Sequence, residues 1–360
     1  MKVIDLRPWP VRAWERLGRT DRDDGGPAGR LAARAADAMA RRRAGGRGAP
    51  PPGLAVVSVG NLAFGGTGKT PVVAALARDL AAAGRRGAVL TRGYGSRLSG
   101  LTEVAPGDPR AGDEARLLAT RLAPLGWPVF QARRRGAALA QLASRLPRGS
   151  VVILEDGHQT AGAGRHLDVL ILDRWSVAAD LADPVLMPAT GPVVPLGPWR
   201  ESAAGAFRAA VWLVEAERPP TAGAGGRAVA GFVRELVVAA PDGGPVAVPG
   251  AGWAALSGLA RPAGFEQGAQ AELGTAPVLC LRCADHARYA ERLLARVTAI
   301  LRRAGRPLAV TTQKDWVKLE TIWPADLPVA VARLDVRWTG GRALPDLVGE
   351  RLDDATGSGR

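Results

Sequence analysis

The sequence predicts an α/β protein: a P-loop NTPase-like parallel sheet with helices on both faces, followed by a smaller α/β C-terminal domain. Three observations predict it. Short apolar runs alternate with helical stretches. The runs are apolar at nearly every position, as strands covered on both faces must be. A glycine-rich turn ending in Lys69-Thr70 follows the first of them directly.

The elements are justified in order. After a Trp- and Pro-containing opening and a polar run at 21–27, Leu31, Ala35, Ala38 and Met39 recur at helical spacing among arginines. This predicts a basic amphipathic helix over 29–44, which either lies on an anionic membrane or packs, solvated, on the main domain. Residues 45–53, with three consecutive prolines, read as a linker. Strands are expected at 54–59, 88–91, 151–154, 169–172 and 210–214, with helices at about 70–83, 113–122 and 135–146. A Gly/Pro-rich stretch at 182–198 interrupts the alternation. Two β-like runs, 228–239 and 245–249, flank Pro-Asp-Gly-Gly, which reads as a hairpin. Further strands at 253–256, 278–281, 308–311 and 329–334 and a helix at 287–304 form the second domain. The expected boundaries are a basic helical segment at 1–50, a P-loop domain at 51–222, a β-ribbon linker at 223–250, a smaller α/β domain at 251–352 and a disordered tail from 353.

Composition narrows the function classes. With 47% apolar and 23% charged residues over 360 positions, the chain is neither disordered nor collagen-like. No window approaches ~18 consecutive apolar residues and the first twenty carry charges throughout, so neither a membrane span nor a secretory signal is expected. The two cysteines, Cys280 and Cys283, lack a second pair for a zinc site and are expected to be ordinary thiols of a reducing cytosol. Forty-eight basic residues against 34 acidic ones give a net charge of +14, which favours anionic partners: nucleotide phosphates, nucleic acid or an acidic membrane surface. Nearly all of that charge is arginine; lysine stands only at Lys2, Lys69, Lys314 and Lys318. A lysine retained in such a chain suggests a place for a compact ammonium instead of a planar fork.

Lys69 closes the run Gly65, Gly66, Thr67, Gly68, Lys69, Thr70. Glycines let backbone N–H groups turn to phosphate, the following helix presents its positive end, the lysine reaches the β- and γ-phosphates, and the threonine offers a hydroxyl to Mg²⁺. The strict pattern has glycine where Ala63 stands, which changes the regular expression and not the local chemistry. A second strand ends in Glu155-Asp156, placing carboxylates at the carboxyl edge of the sheet, where a Mg²⁺-supporting acid belongs. There is no Asn-Lys-x-Asp guanine signature, which favours ATP over GTP.

Several segments in fixed order resemble the tetraacyldisaccharide 4′-kinase family of lipid A synthesis. They are Ser-Val-Gly-Asn-Leu-x-x-Gly-Gly-Thr-Gly-Lys-Thr-Pro from Ser58, Thr-Arg-Gly-Tyr-Gly from Thr91, Gly-Asp-Glu from Gly112 and Glu-Asp-Gly-His-Gln from Glu155. Leu-Gly-Pro-Trp-Arg-Glu from Leu196, Ser-Gly-Leu-Ala-Arg-Pro from Ser257, Asp-His-x-x-Tyr from Asp285 and Thr-Thr-Gln-Lys-Asp-x-Val-Lys from Thr311 follow. The resemblance implies an ATP- and Mg²⁺-dependent kinase that phosphorylates the 4′-hydroxyl of a tetraacyldisaccharide 1-phosphate at the cytoplasmic face of the bacterial inner membrane. It implies two α/β domains joined by a β-ribbon, with the active site between them. It makes Asp113 the acid nearest the acceptor hydroxyl and His286 the group that orients or polarises it, with Lys69 and Thr70 on phosphate and Mg²⁺. Arg92 would support the phosphates and Glu114, with Glu155 and Asp156, the metal. Arg200 either binds a phosphate or pairs with Glu201.

Three departures stand out against that family: Glu155 replaces the first of paired aspartates and His158 an aromatic, the N-terminal helix carries little large apolar surface, and Gln313 stands where Glu is usual. The expected partners are the lipid disaccharide and an anionic membrane surface, without nucleic acid, for a peripheral monomer. The competing class is a P-loop ATPase acting as a switch that binds nucleic acid or membrane; against nucleic acid stands the 5% aromatic content, which leaves few stacking platforms.

Overall fold

The computed structural model describes residues 2–7, 26–46, 48–64, 68–178 and 185–356. The chain divides into two compact units, a larger one of residues 22–234 and 336–360 and a smaller one of residues 1–21 and 235–335. It opens with β1 (Lys2–Asp5) of the smaller unit. In the larger unit α1 (Gly26–Gly45) precedes β2 (Leu54–Asn61), α2 (Lys69–Ala82), β3 (Gly87–Thr91), α3 (Asp113–Leu122), β4 (Val129–Gln131), α4 (Arg135–Ala143), β5 (Ser150–Glu155), β6 (Leu167–Leu172) and β7 (Val211–Glu215). Strand β8 (Arg227–Ala239) carries the chain into the smaller unit. There β9 (Trp253–Ser257), α5 (Pro262–Leu273), β10 (Leu279–Arg282), α6 (Glu291–Arg303), β11 (Leu308–Thr312) and α7 (Gln313–Leu319) follow. Strand β12 (Val329–Thr339) returns it, and α8 (Leu344–Thr356) follows in the larger unit.

The larger unit is a parallel sheet in the order β8-β7-β6-β2-β5-β3-β4. Strands β2, β5 and β6 are buried at every residue, which follows from their continuous apolar sequence. Successive side chains alternate faces. Val57, Val59, Val151 and Ile153 meet α2, α3 and α8 on one side, while Leu54, Val56, Val152 and Leu154 meet α4 on the other. This two-sided cover leaves the carboxyl edge of the sheet as the place for a ligand.

Helix α8 corrects the expected disordered tail from 353. Leu344, Leu347, Val348 and Leu352 recur at helical spacing and bury in the first of those cores, and Asp353 pairs with Arg85 at 2.6 Å. Residues 357–360 lie outside the described residues. Leu352 is fully buried, so Leu352→Ala should cost about 2–5 kcal/mol of stability; thermal unfolding reads this as a lowered Tm, and an unchanged Tm would contradict the packing.

The strands of the smaller unit pair in parallel in the order β1-β10-β9-β11-β12. Leu256, Leu279 and Leu281 pack on Val297 and Leu301 of α6, and Trp253, Ala255 and Val310 pack on Phe265 and Ala269 of α5. The basic helical segment expected at 1–50 also contains a strand: Lys2 to Asp5 pair with Leu279 to Arg282 as an edge strand, which satisfies backbone groups of β10. The expected hairpin is corrected. Its turn forms, with Ala240 N donating to the Gly244 carbonyl at 2.9 Å, but 245–249 is not a strand. Pro245 and Pro249 lack the N–H a ladder requires. Cys280 and Cys283 are free and buried in different cores, and burial pushes their thiols up to about 11 and about 12. Among the described residues no helix is long and apolar enough to cross a membrane.

Candidate active site

The buried run of β2 ends at Asn61, and the turn that follows leads into α2. Gly65, Gly66 and Thr67 lie outside the described residues. Gly68 caps α2 with φ 75°, a left-handed conformation that glycine takes without strain. A Cβ there would stand 2.9 Å from Arg234 Nη1. Gly68→Ala should therefore cost about 1–2 kcal/mol from backbone handedness alone and more from the displaced arginine; denaturant titration would show it, and full stability in that variant would contradict the turn geometry.

Lys69 and Thr70 turn back to the strand ends. Lys69 Nζ donates to Asn61 Oδ1 at 3.0 Å and lies 3.6 Å from Asp156 Oδ1. Asn61 is itself held by its Nδ2 donating to Asp173 at 2.9 Å and by Gln159 donating to its carbonyl at 2.8 Å. Thr70 Oγ1 donates to Glu155 Oε1 at 2.8 Å. Burial first, and then the charge of Glu114, push the Glu155 carboxyl well above the usual carboxylate range, against hydrogen bonds from Thr91 and Thr70. Burial also works to raise Asp156, but Lys69, Arg200 and Arg135 outweigh it and hold that carboxyl below its ordinary value. The adjacent acids are thus held in opposite regimes.

Two buried arginines fix the loop after β5. Arg135 Nη1 donates to the carbonyls of Glu155 at 2.6 Å and Asp156 at 2.9 Å, and Nη2 donates to Thr160. Arg165 donates to the carbonyls of Gly157 at 2.9 Å and His158 at 3.0 Å while pairing with Asp168 at 2.8 Å. Carbonyls that leave the sheet ladder here gain charged donors, which holds Asp156 at φ 53°. His158 is fully buried with Nε2 3.0 Å from the Gly205 carbonyl, so this departure fills the core.

Asp113 and Glu114 are the first residues of α3, where the helix dipole favours carboxylates. Gly112 packs against the Tyr94 carbonyl so closely that no Cβ fits, which draws Thr-Arg-Gly-Tyr-Gly and Gly-Asp-Glu together. Arg92 is exposed and follows directly on Thr91, close enough to act on Arg135 electrostatically. Of the two roles open to Arg200, the structure sets aside the pairing with Glu201. Arg200 donates to both oxygens of Asp156 at 2.8 Å and lies over the Phe64 ring, whereas Glu201 pairs with Arg208 at 2.7 Å. The sequence reading missed Asn61, Asp173, Thr91 and Arg135. Asn61 lay inside the Ser-Val-Gly-Asn segment and Thr91 opens the Thr-Arg-Gly-Tyr-Gly segment, so a signal was present for both; Asp173 and Arg135 have none short of the fold.

In the smaller unit the remaining segments gather at the carboxyl ends of its strands. His286 has φ 56°, with Lys314 Nζ 3.3 Å from Nε2, and Lys314 also donates to Asp285 at 3.1 Å. Asp315 is buried and accepts from Gly258 N and Thr312 Oγ1, both at 2.8 Å. The Thr-Gln-Lys-Asp run thus caps α7 and ties it to the turn after β9. Asp113 and His286 belong to different units.

A parallel sheet with helices on both faces, a lysine and threonine at the N-terminus of α2 and acids at the end of β5, the strand beside β2, define a P-loop nucleotide-binding protein. The comparisons are more particular. The family model described as tetraacyldisaccharide-1-P 4′-kinase, LpxK, matches residues 30–352, and the chain belongs to that family. A tetraacyldisaccharide 4′-kinase of Anaeromyxobacter sp. (strain Fw109-5) is 38% identical over 330 residues, covering 85% of this chain and 84% of the relative. One from Geobacter metallireducens is 37% identical over 278 residues, covering 73% and 78%. A crystal structure of LpxK from Aquifex aeolicus in complex with ATP superposes with a TM-score of 0.63 at 24% identity, covering 89% of this chain and 97% of that one, and has the same fold.

Proposed function

We propose that this chain transfers the γ-phosphoryl group of ATP to the 4′-hydroxyl of a tetraacyldisaccharide 1-phosphate in lipid A synthesis. The observation that carries the reading is the meeting of Lys69, Thr70, Glu155 and Asp156 at one strand end in a chain of this family. Phosphoryl transfer asks mainly for positioning and charge stabilisation, and this site offers both.

Hydroxyl and carboxylate oxygens are the hard donors Mg²⁺ takes, and the raised Glu155 beside Glu114 is the condition a divalent cation relieves. Thr70 and Glu155 would hold the ion, with Glu114 behind them, while Asp156 serves Lys69 and Arg200. Bound there, the ion supplies charge neutralisation on the β- and γ-oxygens. Lys69 and the Gly65 to Gly68 run bind the terminal phosphates, and Arg92 supports them. Asp113 accepts the hydroxyl proton as the new bond forms, and His286 orients that carboxylate. The β-ribbon and the two α/β domains are the frame in which these residues act.

The protein works as a peripheral monomer on the cytoplasmic face of the inner membrane, held by α1. Asp37 accepts from Ser202 N at 2.7 Å, which fixes one side of the helix, while Leu31 and Met39 stand 68% and 55% exposed beside arginines. This combines the two roles the sequence left open for that helix. Leu31→Asp with Met39→Asp should weaken sedimentation with anionic vesicles by roughly tenfold; unchanged sedimentation would remove α1 from the interface.

The kinase reading is tested by ADP release with and without the disaccharide 1-phosphate. Stimulation by the lipid supports it. Turnover indifferent to lipid, with duplex DNA bound along a steep salt slope, would favour the switch.

A further inference from the structure

We propose that Arg234 is a further ligand of the nucleotide's terminal phosphates, oriented by Glu215; the inference rests on the kinase reading and adds to it a cation that the family resemblance did not supply. Strand β8 pairs with β7 in the register Glu215 to Phe232, so Arg234 lies just past the carboxyl end of β7, on the edge where α/β sheets hold ligands. Its Nε donates to Glu215 Oε1 at 2.8 Å and its Nη2 to Oε2. One edge of the guanidinium is thereby taken up. Nη1 is the nitrogen turned to the phosphate loop, 2.9 Å from the position a Cβ on Gly68 would take, with Cζ at 3.4 Å.

Two considerations favour a ligand over a plain ion pair. An exposed Arg–Glu pair is worth only ~0–1 kcal/mol and has no need of a seat against a left-handed glycine that has no room for a Cβ. Three of the other basic groups of this edge already have partners: Lys69 has Asn61 and Asp156, Arg200 has Asp156 and Gln159, and Arg135 has main-chain carbonyls. A guanidinium clamped along one edge by a carboxylate keeps N–H groups on the other for phosphate oxygens, pre-set in direction. Gly68 and Lys69 are the part of the loop that cradles the β- and γ-phosphates. At 30% exposure the Arg234 side chain is open to a ligand.

The test is the affinity of the full chain for ATP, ADP and AMP by calorimetry, for wild type, Arg234→Ala and Arg234→Lys. Arg234→Ala should weaken ATP and ADP by about tenfold and leave AMP within about twofold, with Arg234→Lys between, since an ammonium keeps charge without the fork. Wild-type ATP affinity in Arg234→Ala would overturn the proposal, and so would an equal loss for all three nucleotides, which marks loop damage. Should Arg234→Ala fail to fold, Arg234→Lys decides: weaker ATP with unchanged AMP supports the assignment, unchanged ATP refutes it. A wild-type protein that binds no ATP would instead sink the kinase reading.

Discussion

Lys69→Ala should lower kcat/KM for ATP by about 10²–10³-fold, the scale expected when a charged donor to developing negative charge is lost from a dry site. The ammonium is positioned by Asn61, and Asn61 by Asp173 and Gln159, so the chain of hydrogen bonds aims one cation at the loop. Without it Asp156 keeps Arg200, and the fold should survive. Circular dichroism then separates lost chemistry from lost structure. Lys69→Arg should not restore activity, because a planar fork cannot occupy the place of a compact ammonium between Asn61 and Asp156. Near-normal ATP use by Lys69→Ala would mean that phosphate sits elsewhere.

Asp113→Asn is the second large expected effect: kcat should fall by about 10²–10⁴-fold with KM for ATP little changed, as for loss of a general base. The amide keeps size and helix-terminal position while removing the ability to accept a proton. Asp113 and His286 lie in different units, so their cooperation is a kinetic question. His286→Ala should also lower kcat, and the double variant should be little worse than Asp113→Asn alone, because groups that act as one do not add. Additive losses would assign His286 a separate task.

The local signals were legible because they are local. Lys69-Thr70 follows a buried strand in sequence, Glu155-Asp156 ends another, and both meet where strand ends of a parallel sheet converge. What the sequence hides is pairing at a distance. Arg200 finds Asp156 across 44 residues and Asn61 finds Asp173 across 112, and no spacing rule announces either. Helix α8 went unread, and its end from Asp353 was taken for a tail, because Gly340-Gly341 and the acidic Asp353-Asp354 look like punctuation, while its four buried positions matter only against the sheet. The reverse error befell 245–249, whose valines pack in the smaller unit's core although its prolines preclude a ladder. Strand β1, four residues long, carries too short a pattern to be told from a loop.

The most direct measurement is transfer of label from γ-labelled ATP in the presence of Mg²⁺, comparing the tetraacyldisaccharide 1-phosphate with its 4′-deoxy analogue. The account predicts label on the first lipid, none on the second, and none on either with Lys69→Ala. Label on the 4′-deoxy lipid, or none on the natural acceptor from folded wild-type protein that binds ATP, would contradict it.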